Sequence, residues 1–451
     1  MMDVPDPPLS LFSTREMDLV FCLPCQLECM AHFEWALLAA LEENGLAAAG
    51  AADVLESLAA AAFVDIPRLL REAQSAGNLA IPFVRQLTEA AAQRSPAAAA
   101  SVHLGATSQD ILDTAMVLQM REAIELLRRD LTSMEAHLLV HVRNHSDTLL
   151  AGRTWLQQGP PITFGLRLAG VVEALRRHRE RIEAAARRAL VLQFGGAVGT
   201  LAALGDRASA ISAALARRLD LPEPRLPWHT QRDSVAEVAA VLGLVTGTLG
   251  KFARDIALAM QTELAEVLEP EGEDRGVSST MPHKRNPVAS AIILAAAARV
   301  PPLVSTLITA MQQEQERGLG GWQTEWEVVP EVFRLTAAAL ARANEIAAGM
   351  EVQPERMRAN LESSGGLAMS EAVSIALAEH LGRSRAHALL EHACHVALAQ
   401  RRPLRAVLLA TPEVCAHLSE SQLDRLLDPR NYLGSTHQFI DRILGETDAD
   451  R

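Results

Sequence analysis

Aromatic residues are scarce in this chain. They fill 4% of its 451 positions, with a single tyrosine, whereas strands draw on aromatic and β-branched side chains. Alanine-rich runs such as "LAAAGAADVLESLAAAAF" stand in their place and favour helix. The composition predicts an almost all-α protein. Cysteine is scarce as well: Cys22, Cys25, Cys29, Cys394 and Cys415 are an odd set of five. The first three recur at spacings of three and four near one face of a helix predicted over "REMDLVFCLPCQLECMAHFEWALLAALEE". With no fourth ligand in view, reduced thiols are a simpler reading than a structural metal.

Positive charge is the next shortage. Lys and Arg number 42 against 55 Asp and Glu, a net charge of −13, which argues against a nucleic-acid or anionic-membrane surface. An anionic substrate must then meet a locally basic pocket. Charge-free apolar runs of about 18 residues are missing, and the amino terminus "MMDVPDPPLS" lacks the basic region and apolar core of a secretory signal. These absences predict a soluble, cytoplasmic protein.

What is present is periodic. Val117, Met120, Ile124, Leu127, Leu131, Met134 and Leu138 alternate steps of three and four, a heptad seam that predicts a helix of about 45 Å starting near Asp113. Phe252, Ile256, Met260, Leu264 and Leu268 predict a second helix at steps of four, and segments near 162–192, 288–311 and 331–350 look similar. Together they imply a central bundle over 113–352 between smaller helical domains at 1–112 and 353–451. Seams this long often bury against other subunits, so an oligomer is expected. His137, His141 and His145 share one helical face, but without an HExxH pattern a polar stripe is the better reading than a metal site. "GGAVG" at 195–199 lacks the phosphate-binding GxGxxG spacing and reads as a helix connection.

Three polar stretches interrupt the helices: "VHLGATSQD" at 102–110, "GRTWLQQGPP" at 152–161 and "GVSSTMPHKRNP" at 276–287. Hydroxyls, amides and cations at helix ends suit carboxylate binding, although Ser and Thr also serve there as caps. The third stretch follows the acidic "EGEDRG" and joins a possible hinge at Gly276 to a tip bearing Ser278, Ser279, His283, Lys284 and Arg285. It reads as a lid that closes over an anion, with a solvated interhelical loop as the alternative.

"SSTMPHKRNP" resembles the GSSxMPxKxNP signature of the fumarase/aspartase superfamily. "GATSQD", "GRTWLQ", "GGAVGTLAALG", "WHTQRD" and "QEQER" occur in the superfamily's order, so the resemblance covers nearly the whole chain. It implies three helical domains, a tetramer around a twenty-helix core, and active sites assembled from three subunits. It also implies proton transfer beside a carboxylate through an aci-carboxylate, with neither metal nor cofactor. By motif position, Ser278, Lys284 and Arg317 are the implied catalytic residues. His103, Thr107, Ser108, Arg153, Thr154, Trp155, Gln157, Ser279, His283 and Asn286 are the implied substrate contacts.

The departures indicate which reaction. Val277 stands where the signature has glycine, Trp155 where many members carry an acid histidine, and Ala291 where its glutamate partner falls. An amine leaving group with a pKa around 10 needs that acid, whereas a carboxylate near 4 does not; roughly 6 units correspond to about 8 kcal/mol. Within the superfamily, one reaction has a carboxylate as its leaving group, the closure of a lactone on a tricarboxylated muconate by one of its own carboxylates, and the resemblance implies that reaction here. Ser278, His103, His283 and Lys284 are all open as proton donor, and Trp155 either shapes the pocket or simply packs. An adenylosuccinate-type C–N lyase is the competing reading, but Leu11-Phe12-Ser13 lacks that branch's phosphate-binding arginine. A non-catalytic structural role is opposed by the retained Ser278, Lys284, Asn286, Thr107 and Arg317.

Overall fold

Helix accounts for nearly every periodic segment. The computed structural model describes residues 11–272, 276, 280, 281 and 284–449. Five helices within them run for 23 residues or more: Ser108–Asn144, Phe164–Ala189, Asp233–Ala259, Val288–Ala310 and Gly321–Gly349. Every member of the seam from Val117 to Leu138 is buried. At 37 residues the seam helix is about 55 Å long, nearly two turns more than its apolar pattern implies, chiefly because it begins at Ser108.

The second seam overruns its helix. Phe252 and Ile256 are buried in Asp233–Ala259, but the chain then turns, with Ala265 in the left-handed region. The Glu266 amide bonds back to the Ala259 carbonyl at 2.9 Å, which satisfies an orphan carbonyl of the last turn and ends the helix. Leu268 therefore lies in a two-residue strand, Val267–Leu268, paired with Glu351–Val352. A second antiparallel pair, Leu149–Thr154 with Gln157–Thr163, forms a hairpin inside a polar stretch.

The chain divides into two compact units. One comprises Met1–Leu131, His178–Gly250 and Ile292–Ala341; the other comprises Thr132–Arg177, Lys251–Ala291 and Arg342–Arg451. In the first, Leu23–Glu43 packs against Ala208–Leu219, with the Phe33 and Phe194 rings edge to face at 6.5 Å. Its largest fully buried side chain is Arg232, held by Asp113 at 2.7 Å and by Glu325 at 2.9 Å, with the guanidinium 4.6 Å from the centre of the Trp228 ring. In the second, Ser370–Leu381 packs on Arg383–Gln400 around Val373, Leu377, Leu390 and Leu408. His137 bonds Asn344 at 2.8 Å and His145 bonds Thr148 at 3.0 Å, as suits a polar stripe. All five cysteines are free thiols.

Two helices, Asp233–Ala259 and Val288–Ala310, are long and apolar enough to cross a membrane by length and composition. Val288–Ala310 also leaves apolar residues such as Ile308 exposed.

Candidate active site

In the first unit, three of the quoted motifs meet on one carboxylate. Asp110, fully buried, accepts the amide of Thr107 at 3.0 Å, of Gly195 at 3.0 Å and of Gly196 at 2.9 Å, and meets His229 Nε2 at 2.7 Å. "GATSQD", "GGAVG" and "WHTQRD" are thus tied together before any substrate arrives. The glycines have a steric reason: a Cβ on Gly195 would come within 2.7 Å of Pro227 and 2.8 Å of His229. "GGAVG" is a connection whose first two amides are taken by Asp110.

This anchoring presents the first turn of Ser108–Asn144. The side-chain hydroxyls of Thr107 and Ser108 are half-buried and make no hydrogen bond among the described residues. They sit at the positive end of a 37-residue helix, a site suited to an anion. Beside them in sequence, Gln109 accepts from Arg317 Nη1 at 2.9 Å, while Arg317 Nη2 donates to the Ala197 carbonyl at 2.9 Å. Arg317 has no carboxylate partner among the described residues.

His103 precedes this turn with a left-handed φ of 60°. Its Nδ1 lies 2.5 Å from Glu34 Oε1, and its amide donates to Glu34 Oε2 at 3.0 Å. Burial opposes charge on the ring, but the fully buried Glu34 carboxylate, and Asp110 after it, outweigh that effect. His103 is held above the ordinary histidine range. Its Nε2 makes no hydrogen bond among the described residues, so a charged imidazole offers a free N–H.

In the second unit, the hairpin carries "GRTWLQ". Trp155 and Leu156 form its two-residue tip with φ of 54° and 64°, the left-handed pair of a type I′ turn. Such turns favour Asn-Gly, and for larger residues each left-handed position costs about 1–2 kcal/mol. Trp155 is 97% exposed and Leu156 72%. Thr154 and Gln157 flank the tip as exposed partners. Arg153 is different: its guanidinium is gripped by the fully buried Glu266 at 2.6 and 2.9 Å, and Asn360 donates to the same carboxylate at 3.0 Å. Its charge is already matched, so within this unit it braces the hairpin.

The signature stretch is closed at its base. The backbone amide and side-chain amide of Asn286 both donate to the Gly276 carbonyl at 3.0 Å. Gly276 has a φ of 66°, and a Cβ there would lie 2.7 Å from the Asn286 carbonyl oxygen. Buried Glu269 accepts the Ala289 and Ser290 amides at 3.0 and 2.8 Å, anchoring the start of Val288–Ala310. Arg285 pairs with Glu351 at 2.7 Å. Lys284 is exposed and makes no ion pair among the described residues. Ser278, Ser279 and His283 lie outside the described residues, as does Val277. Ala291, where the acid pair's glutamate is missing, is exposed.

Within the first unit the structure gathers Thr107, Ser108 and Arg317 around one helix start and puts His103 on a carboxylate; within the second, Arg153 is an ion-paired brace. Gln109, Asp110, Glu34 and Glu266 are absent from the residues that sequence singles out. Gln109 and Asp110 lie inside a quoted motif and could have been found there. Glu34, 69 positions from His103, carries no signal.

The comparisons agree in kind. A family model described as lyase matches residues 46–301, and one described as adenylosuccinate lyase C-terminus matches residues 366–443. The chain is 50% identical over its whole length to a 3-carboxy-cis,cis-muconate cycloisomerase from Pseudomonas aeruginosa, covering 98% of that protein. It is 44% identical to the enzyme of the same name from Acinetobacter baylyi, over 98% of each. Among solved structures, the 3-carboxy-cis,cis-muconate lactonizing enzyme of Pseudomonas putida matches with a TM-score of 0.92 at 49% identity, over 97% of this chain and 98% of that one.

Proposed function

The chain belongs to the fumarase/aspartase superfamily, and from that premise we propose that it interconverts 3-carboxy-cis,cis-muconate and 4-carboxymuconolactone as an intramolecular lyase. The observation that carries this reading is the doubly missing acid. Trp155 and Ala291 occupy the positions of the superfamily's histidine and glutamate, and a carboxylate nucleophile and leaving group needs neither.

One substrate carboxylate adds to an alkene carbon, forming the lactone C–O bond. The electron pair moves toward the neighbouring carbon, whose own carboxylate takes it up as an aci-carboxylate, and that carbon then accepts a proton. Arg317, with the Thr107 and Ser108 hydroxyls and the helix start, binds and stabilises one carboxylate. Lys284 closes on another from the lid. His103, whose hold on a proton Glu34 strengthens, supplies it through Nε2, and Ser278 is the alternative donor. No metal or cofactor enters any step.

The chain acts on a small molecule, and the finer picture is part of the proposal: a cytoplasmic homotetramer of three-domain subunits with sites shared among three copies. Two features support it. Val288–Ala310 leaves apolar residues uncovered, and the bulky, strained tip Trp155–Leu156 faces solvent in a single chain. Strain of this kind is concentrated where a side chain must be presented for function.

The test is loss of the conjugated-diene ultraviolet absorbance of 3-carboxy-cis,cis-muconate with chelator-treated protein, with adenylosuccinate in parallel. Rapid loss with inert adenylosuccinate is expected. Turnover of adenylosuccinate would refute the leaving-group reasoning.

A further inference from the structure

We propose that Gln109 is the positioning residue for Arg317, a buried neutral amide that aims the guanidinium while leaving its charge for the substrate. The inference rests on the reading of Arg317 as a carboxylate receptor and says how that receptor is kept charged.

Gln109 is fully buried, and both ends of its amide are engaged. Nε2 donates to the His229 carbonyl at 2.7 Å, and Oε1 accepts from Arg317 Nη1 at 2.9 Å. A guanidinium has no acceptor and a carbonyl no donor, so the amide can face only one way. Its second anchor is fixed in turn, since the His229 ring is held by Asp110 at 2.7 Å. The remaining direction of Arg317 is set by Nη2 on the Ala197 carbonyl at 2.9 Å. Two neutral dipoles thus orient one full positive charge.

Other arginines of the chain set the contrast. Arg153 lies on Glu266, Arg285 on Glu351, and Arg232 between Asp113 and Glu325. A carboxylate at position 109 could hold Arg317 as firmly, but it would cancel the charge that the substrate needs. It would also turn an acceptor toward the His229 carbonyl, which has nothing to donate. Among side chains of this length, an amide meets both demands without adding charge.

The experiment compares wild type with Gln109→Glu, Gln109→Met and Arg317→Ala. Steady-state kinetics on 3-carboxy-cis,cis-muconate are measured across pH 5.5 to 8.5, with thermal melting alongside. The charged and titratable side chains around the amide are Arg317, His229 and Asp110, all retained in the two Gln109 variants. For Gln109→Glu, KM should rise about 10- to 100-fold at alkaline pH with kcat little changed, the scale of a lost charged contact. That deficit should shrink as pH falls, because a protonated carboxyl donates to His229 and accepts from Arg317 as the amide does. Gln109→Met keeps the volume and loses both hydrogen bonds, so its KM should rise with no such recovery.

Unchanged KM in both Gln109 variants while Arg317→Ala raises it would overturn the proposal. So would a Gln109→Glu defect that is equal at every pH and shared between kcat and KM, the mark of structural damage. If Gln109→Glu does not melt as a folded protein, Gln109→Met decides alone: a raised KM supports the assignment and an unchanged one ends it. An unaltered KM in Arg317→Ala would instead remove the receptor reading itself, a failure visible in a different variant.

Discussion

Arg317 at the start of Ser108–Asn144 and Arg153 in the hairpin are the same side chain, both expected to meet substrate carboxylates, yet they end in opposite electrostatic states. Arg153 is matched by a buried carboxylate that Asn360 also holds. Among the described residues, Arg317 is oriented only by neutral oxygens. An arginine bound to a buried carboxylate is a strut, because its charge is neutralised and its geometry fixed at two points. One held by amide and peptide dipoles has comparable direction and keeps its charge, which makes a receptor.

The largest effect should come from breaking the strut. Glu266→Ala strands a mostly buried Arg153 and should destabilise the fold by about 3–5 kcal/mol, read by denaturant unfolding. If the loss were under about 1 kcal/mol, the pair would be behaving like an exposed one and the contrast would collapse. Removing the receptor comes next. Arg317→Ala should lower kcat/KM about 10²- to 10³-fold, mainly through KM, the scale of a lost hydrogen-bonded charge. Its melting temperature should change far less than that of Glu266→Ala.

A smaller effect tests the hairpin that Arg153 braces. Replacing Trp155 and Leu156 with Asn and Gly relieves two left-handed side chains and should stabilise the turn by about 2–4 kcal/mol, while turnover falls. Higher stability with full activity would reduce the Trp155 tip to a tolerated oddity.

The smallest effect concerns Glu34→Gln. In the folded protein His103 is held above its ordinary range, chiefly against the effect of burial and by Glu34. The pair's contribution to stability is therefore complete below the ordinary histidine pKa and is lost as pH rises through the raised one. A proton donor loses activity over the same rise. Glu34→Gln should move the alkaline limb of the pH–kcat/KM profile to lower pH, and an unmoved limb would exclude His103 as donor.

How far these arrangements can be read from sequence depends on their range. The Val117–Leu138 seam is legible because one face of a helix repeats every few residues, and all seven positions are buried. The same rule fails after Ala259: Leu264 and Leu268 keep the step of four, yet the backbone turns at Gln261–Ala265. Apolar spacing records which side chains are oily, not where hydrogen bonding passes from helix to turn. The hairpin is hidden for a related reason, since its turn is built from Trp and Leu instead of Asn-Gly. The polar stretches mark much of the candidate site, but nothing in them separates a paired arginine from an unpaired one.

By itself, the sequence determined the helical class, the buried seam, the superfamily and the missing acid pair, because each is written in residue type at short or ordered spacing. Only the tertiary structure decided that Asp110 gathers three motifs, that Glu34 raises the proton affinity of His103, and that Arg153 is matched by a buried carboxylate while Arg317, among the described residues, meets neutral oxygens. Those outcomes depend on which buried oxygen lies within about 3 Å of a given donor, and folding sets that distance between residues far apart in the chain.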